Sequence, residues 1–163
     1  MPLDELYTKP GHLIRRMQQI AVAIFMEECA AFDLTPVQYA ALVAVREYPG
    51  IDATRLAAVI AFDRSTIGNV IGRLEVKGFL LRKPSDEDGR AKLLYLTATG
   101  KKTIAAAAPF VERAQHRILG DLSAADRRKL MQLLTQLVDL NNERSRAPQR
   151  ALASAPANSR GVP

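Results

Sequence analysis

The sequence predicts a mainly α (α+β) fold in which a helix-turn-helix and one β-hairpin lie between long N- and C-terminal helices. Three observations carry that expectation. Apolar residues recur at helical spacing along most of the 163 residues, while aromatics are scarce at 6% and tryptophan is absent; this balance favours helices over a sandwich or barrel. Two short segments on either side of Phe62 each open on a capping residue. The periodicity turns strand-like only over residues 80–96, directly after the second of those segments.

Taken in order, Pro10-Gly11 punctuates the start of a long helix over about His12–Phe32, with Leu13, Met17, Ile20, Ile24 and Cys29 along one stripe. Thr35 is its successor's N-cap with Pro36 at the first helical position, and that helix runs from Val37 to about Glu47. Asp52 opens a helix over Ala53–Ile60. Asp63 opens another over Arg64–Lys77, whose apolar face is Ile67, Val70, Ile71 and Leu74, and Gly78 stops it. Two short helices joined by a few residues form a helix-turn-helix.

Leu80–Pro84 and Lys92–Leu96 read as strands joined by the polar turn Ser85–Arg90, with Gly89 where a positive φ is needed. A hairpin in that place is a wing. Thr97 caps a helix that proceeds towards Leu119, which Pro109 should kink or divide. Ser123 caps the last helix, with Leu130, Leu133, Leu134, Leu137, Val138 and Leu140 as its stripe. From Arg146 periodicity gives way to a Pro/Ala/Ser-rich stretch that reads as a flexible tail.

Charge is unevenly placed. The chain holds 23 Lys and Arg against 17 Asp and Glu, a net +6. Residues 64–102 contain nine cations and four anions, so this quarter of the chain carries +5 of that total. Such a patch is suited to a polyanion. Major-groove reading needs outward side chains near the start of the second helix. Here those are Arg64, Ser65, Thr66, Asn69 and Arg73, and Arg and Asn have the fork geometry that matches guanine and adenine edges. In the wing, Arg90 flanked by Arg82 and Lys92 is placed for a narrow minor groove or for phosphates. Asp88 could hold the Arg90 guanidinium or brace the turn.

Against that background, Asp88-Gly-Arg90-Ala-Lys-Leu-Leu94-Tyr-Leu96-Thr97-Ala-Thr-Gly100 resembles the wing signature of the MarR family, D-x-R-x-x-x-L-x-L-T-x-x-G, at every fixed position. Leu56-Ala57, Ser65-Thr66 and Leu74-Glu75 through Leu80 resemble the same family's helix-turn-helix, and Leu34-Thr35-Pro36 its second-helix opening. The resemblance implies a homodimer whose first and last helices intertwine, reading a pseudo-palindromic duplex DNA operator through two recognition helices. The expected organisation is therefore an N-terminal arm at 1–9, a dimerisation helix at 10–34, a winged helix-turn-helix domain at 35–100, dimerisation helices at 101–145 and a flexible tail at 146–163. Repression is the commoner behaviour in the family.

The resemblance also implies a ligand crevice for small aromatic carboxylic acids or phenols. His12, Arg15, Arg16 and Gln19 share one side of the first helix and could converge on a small anion, with Arg as bidentate partner and Tyr39 as an aromatic wall. The run Pro10–Gln19 is similar to that of regulators of nicotinate-type degradation, which makes a hydroxynicotinate-like acid a candidate effector. A rival is redox sensing through Cys29, the one cysteine; Glu27 and Glu28 beside it disfavour a thiolate. A second rival is a winged-helix protein-interaction module.

Two histidines in different helices and one cysteine supply no catalytic or metal constellation, so neither an enzyme nor a cofactor is expected. The opening MPLDELYTKP starts acidic and lacks an apolar core, and the charge-free run Met17–Met26 is too short to cross a bilayer. The expectation is a cytoplasmic, nucleoid-associated bacterial protein with no membrane partner.

Overall fold

A computed structural model describes residues 2–85 and 91–152. Helix α1 is Leu3–Tyr7 and α2 is Pro10–Glu28, followed by a 3-10 turn at Ala30–Phe32 and by Asp33 in the left-handed region at φ 48°. Then come α3 (Pro36–Glu47), β1 (Ile51–Asp52), α4 (Ala53–Val59), α5 (Ile67–Val76), β2 (Leu80–Pro84), β3 (Lys92–Leu96), α6 (Ala98–Leu119) and α7 (Ala124–Asn141). The expected winged helix-turn-helix is the fold observed, with one addition. The two-residue β1 pairs with β3, giving an antiparallel sheet of order β1-β3-β2 in which Leu80 faces Leu96 and Ile51 faces Leu94.

Local chemistry sets most of the helix starts. Thr35 and Gln38 form a reciprocal capping box: the Thr35 hydroxyl accepts from the Gln38 N–H at 3.3 Å, and the Thr35 N–H donates to Gln38 Oε1 at 3.2 Å. Asp52, Thr97 and Ser123 each accept from the backbone N–H three residues on. The first long helix ends four residues earlier than the apolar stripe suggested, because Cys29 already leaves helical geometry and Asp33 turns the chain. Pro109 lies inside α6 without dividing it. Pro109 and Ala105 are both exposed, so the Ala105 carbonyl that loses its partner faces water.

The main core joins α3, α4, α5, the sheet and the start of α6 through Leu42, Val45, Leu56, Ile71, Leu74 and Leu94. A smaller cluster of Phe25, Cys29, Val111 and Ala114 binds α2 to α6. Glu28 clamps that junction from outside: Arg117 and then Arg113 reach its carboxylate, at 2.8 and 3.1 Å, and hold it below the usual carboxylate range. By contrast α7 buries none of its residues and exposes Met131, Leu133, Leu134, Leu137, Val138 and Leu140. Residues 142–152 do not trail away from it. They cross back over α4, and Leu152 packs against the main core. The remainder of the stretch read as a tail lies outside the described residues.

Candidate nucleic-acid interface

The helix-turn-helix is built from α4 and α5. Leu56 and Ala57 on α4 meet Ile67, Val70, Ile71 and Leu74 on α5, all buried. The connection turns at Ala61, which sits at φ 52°. A non-glycine residue in that region costs about 1–2 kcal/mol, and Phe62 holds the turn closed by donating its N–H to the Ala57 carbonyl at 2.8 Å while packing on the core.

α5 starts at Ile67 rather than Arg64, and the reason is Asp63. Its Oδ1 accepts from both the N–H and the hydroxyl of Ser65 at 2.8 Å, while its carbonyl accepts from the N–H groups of Thr66 and Ile67. The two Ser65 bonds, the hydroxyl's first, hold the Asp63 carboxyl below its ordinary range. Arg64, Ser65 and Thr66 therefore form a tight exposed turn at the mouth of the helix. Arg64 reaches back to Thr54 Oγ1 at 3.2 Å, and the Ser65 hydroxyl is engaged with Asp63.

Asn69 and Arg73 project from the outer side of α5, one turn apart and exposed. Gly68 and Gly72 lie beside them, and a Cβ added at either would meet nothing within 4 Å. Among the described residues no other helix presses on these glycines. Val76, 90% exposed, ends the row. Lys77, which the sequence reading left unassigned, pins the end of α5 to the corner between α2 and α3: its Nζ pairs with the Asp33 carboxylate at 2.8 Å and also donates to the Asp33 carbonyl and to Gln38 Oε1.

In the wing, Arg82 pairs with Glu75 of α5 at 3.0 Å, Lys83 stands over the Tyr95 ring at 5.3 Å, and Lys92 is exposed. Arg90 lies outside the described residues, as does Asp88. The T-x-x-G part of the wing pattern has a clear basis. Thr97 Oγ1 donates to the Gly78 carbonyl at 2.6 Å and accepts from the Gly100 N–H at 2.9 Å. A Cβ on Gly100 would stand 2.2 Å from the Phe79 carbonyl oxygen, so only glycine admits this closure.

Of the residues expected to hold a ligand, four lie along α2 and Tyr39 lies on α3. Arg15 donates to Gln19 at 3.2 Å on the exposed side of α2, Arg16 is exposed nearby, and His12 stacks near Tyr7 with ring centres 5.2 Å apart. Tyr39 is half-buried against Phe25, at 6.2 Å between ring centres, and burial pushes its phenol up. None of the five lines the cleft of about 460 Å³ between α2, α3 and α5, which is bordered by Gln18, Val22, Thr35, Gln38, Asn69 and Arg73. Cys29 is 1% exposed, and burial first, then the Glu28 charge, push its thiol up.

Comparison with known proteins supplies the family. The MarR family model matches residues 34–92, the span from the α3 opening to the wing. The Escherichia coli transcriptional regulator HosA is 31% identical over 134 residues, covering 82% of this chain and 98% of its own length. The chain belongs to the MarR family. Among solved structures, Bordetella bronchiseptica BpsR, whose DNA binding is regulated by 6-hydroxynicotinic acid, is 30% identical with a TM-score of 0.76, covering 82% of this chain and 95% of its own. The transcriptional repressor CouR, solved on a 23-mer DNA duplex, is 27% identical with a TM-score of 0.76 and covers 85% and 98%. This MarR-family chain is thus a transcriptional regulator with a DNA-binding winged fold, and its relatives are regulators rather than enzymes. Among the described residues no helix is long and apolar enough to cross a membrane.

Proposed function

We propose that this chain is a homodimeric repressor that reads a pseudo-palindromic duplex operator and releases it on binding a small aromatic or heteroaromatic acid of the hydroxynicotinate type. The observation that carries the reading is the row Arg64, Asn69 and Arg73, exposed at the mouth and outer side of a helix whose opposite side is fully buried. That is the arrangement of a recognition helix, with Asn69 and Arg73 open to base edges and Arg64 held at its mouth by Thr54. Ser65 and Thr66 then serve the phosphates, as do Arg82, Arg90 and Lys92 from the wing.

Dimerisation is supported by the uncovered apolar residues of α7 and by Leu13, Ile14, Met17 and Ile20 on α2; a second copy is the cover that a two-fold regulator needs. Effector response is supported by the cleft between α2, α3 and α5. Asn69 and Arg73 border it, so an occupant there touches the reading helix directly. His12, Arg15, Arg16, Gln19 and Tyr39 would take part only where a second copy brings their helices together. The buried, unactivated Cys29 gives the redox alternative no support.

The test has two arms. Selection from random duplexes should yield a two-fold symmetric site whose affinity falls steeply with salt. 6-Hydroxynicotinic acid and related acids should then raise the melting temperature and release that site. Failure to enrich any symmetric sequence refutes the operator reading, whereas enrichment without a shift by any aromatic acid refutes the effector class.

A further inference from the structure

The stretch after α7 makes a set of contacts that neither the core nor dimerisation requires. An α-helix leaves its last four carbonyls unpaired within the helix. At the end of α4 they are all met: Leu56 accepts from Ile60 and Ala57 from Phe62, while Ala58 accepts weakly from the Ala61 N–H at 3.4 Å and more closely from the Arg150 N–H at 2.9 Å, and Val59 from Gln149 Nε2 at 3.1 Å. The last two donors come from a segment some 90 residues away. The segment is itself closed into a loop. The Gln149 N–H donates to Asn142 Oδ1 at 2.8 Å, Asn142 Nδ2 donates to the Gln149 carbonyl at 3.2 Å, and Arg150 binds both carboxylate oxygens of Glu143. Arg146 lies 3.5 Å from Asp63, the residue that shapes the Arg64–Thr66 turn, and Leu152 anchors the far end on the core.

We infer that residues 142–152 are a strap that positions the DNA-reading turn, joining the end of α7 to the end of α4 and to Asp63. It rests on the reading of that turn as the operator contact. The strap acts on the turn from behind. It holds the carbonyl end of α4 just before the Ala61 turn, and through Arg146 it adds a second partner to Asp63, on which the Ser65 and Ile67 N–H groups depend. A displacement of α7 thereby reaches the reading turn without passing through α5.

The experiment uses the full chain with Arg146→Ala/Gln149→Ala/Leu152→Ala, alongside Arg146→Lys/Leu152→Met, which keeps the charge and the apolar contact. Hydrogen exchange of the Ser65, Thr66 and Ile67 amides should quicken at least tenfold in the first variant and stay as in the parent in the second, with exchange inside α6 unchanged in both. Affinity for the selected operator should drop about tenfold in the first variant, with affinity for unrelated duplex held within twofold. Unchanged exchange at those amides overturns the strap. Faster exchange with unchanged operator affinity overturns its positioning role. A parent chain that selects no operator refutes the underlying reading alone, because the exchange result still decides whether the strap holds the turn.

Discussion

Replacing Gly68 and Gly72 together by alanine should separate folding from DNA binding. Among the described residues nothing beyond the local helix backbone lies within 4 Å of either added Cβ, and both residues are helical, so the methyls meet open space. A glycine in a helix interior costs about 1 kcal/mol relative to alanine; Gly72 is interior whereas Gly68 is the second residue of α5, so the pair should stabilise the fold by about 1–2 kcal/mol. For a chain of this size that raises Tm by about 2–8 °C. The same methyls stand beside Asn69 and Arg73, on the row that would face the groove. They should hold the helix away from base edges and weaken operator affinity at least about tenfold, equivalent to about 1.4 kcal/mol. Thermal or urea unfolding gives the first number, and fluorescence anisotropy with a labelled operator at fixed salt gives the second. A variant that is stabilised yet binds its operator as before would refute the placement of this row against DNA. A loss of stability would refute the open space around it.

Gly100→Ala is the converse case: its Cβ would collide with the Phe79 carbonyl at 2.2 Å, and crowding of this kind costs about 1–3 kcal/mol, measurable as a lower urea midpoint. Leu137→Asp places a charge on the exposed stripe of α7, so sedimentation should show a shift towards monomer and operator affinity should fall with it; an unchanged dimer refutes α7 as an interface. The Asp63 carboxyl is lowered by Ser65, so its contribution is full above the ordinary carboxylate value, about pH 4, and is lost as pH falls through the lowered one. Exchange at Ser65 and Thr66 should quicken below about pH 4, and Asp63→Ala should abolish that dependence.

What the sequence made legible was local. Thr35, Asp52, Thr97 and Ser123 cap helices because each needs only the residue three places on, and the buried stripe of α5 follows from spacing alone. Asp63 was visible as a capping residue, but whether its carboxylate opens the helix or a turn before it depends on Ser65 competing for the same oxygen. β1 stayed hidden because its two residues acquire meaning only opposite Leu93 and Leu94, some forty positions away. The strap looked like a tail for the same reason: its partners, Ala58, Val59 and Asp63, lie about 85–90 residues upstream. At the site, spacing placed Asn69 and Arg73 outward, whereas nothing in the sequence disclosed that Arg82 is engaged by Glu75 or that Lys77 ties α5 to Asp33. For Arg15 and its neighbours, spacing gives one side of a helix, and what stands opposite belongs to assembly.

The Thr97 closure also has a mechanical reading. Because one hydroxyl joins Gly78, just after α5, to the first turn of α6, a tilt of α6 about Gly100 would be felt directly at the end of α5 and in the wing. α6 has 22 residues, which at about 1.5 Å each makes an arm of about 33 Å. A shift of about 3 Å at the Leu119 end of such an arm is a tilt of about five degrees at its Gly100 end. Motion at the far end of α6 would thereby arrive at the wing geared down, as a rotation small enough to leave the core packing intact.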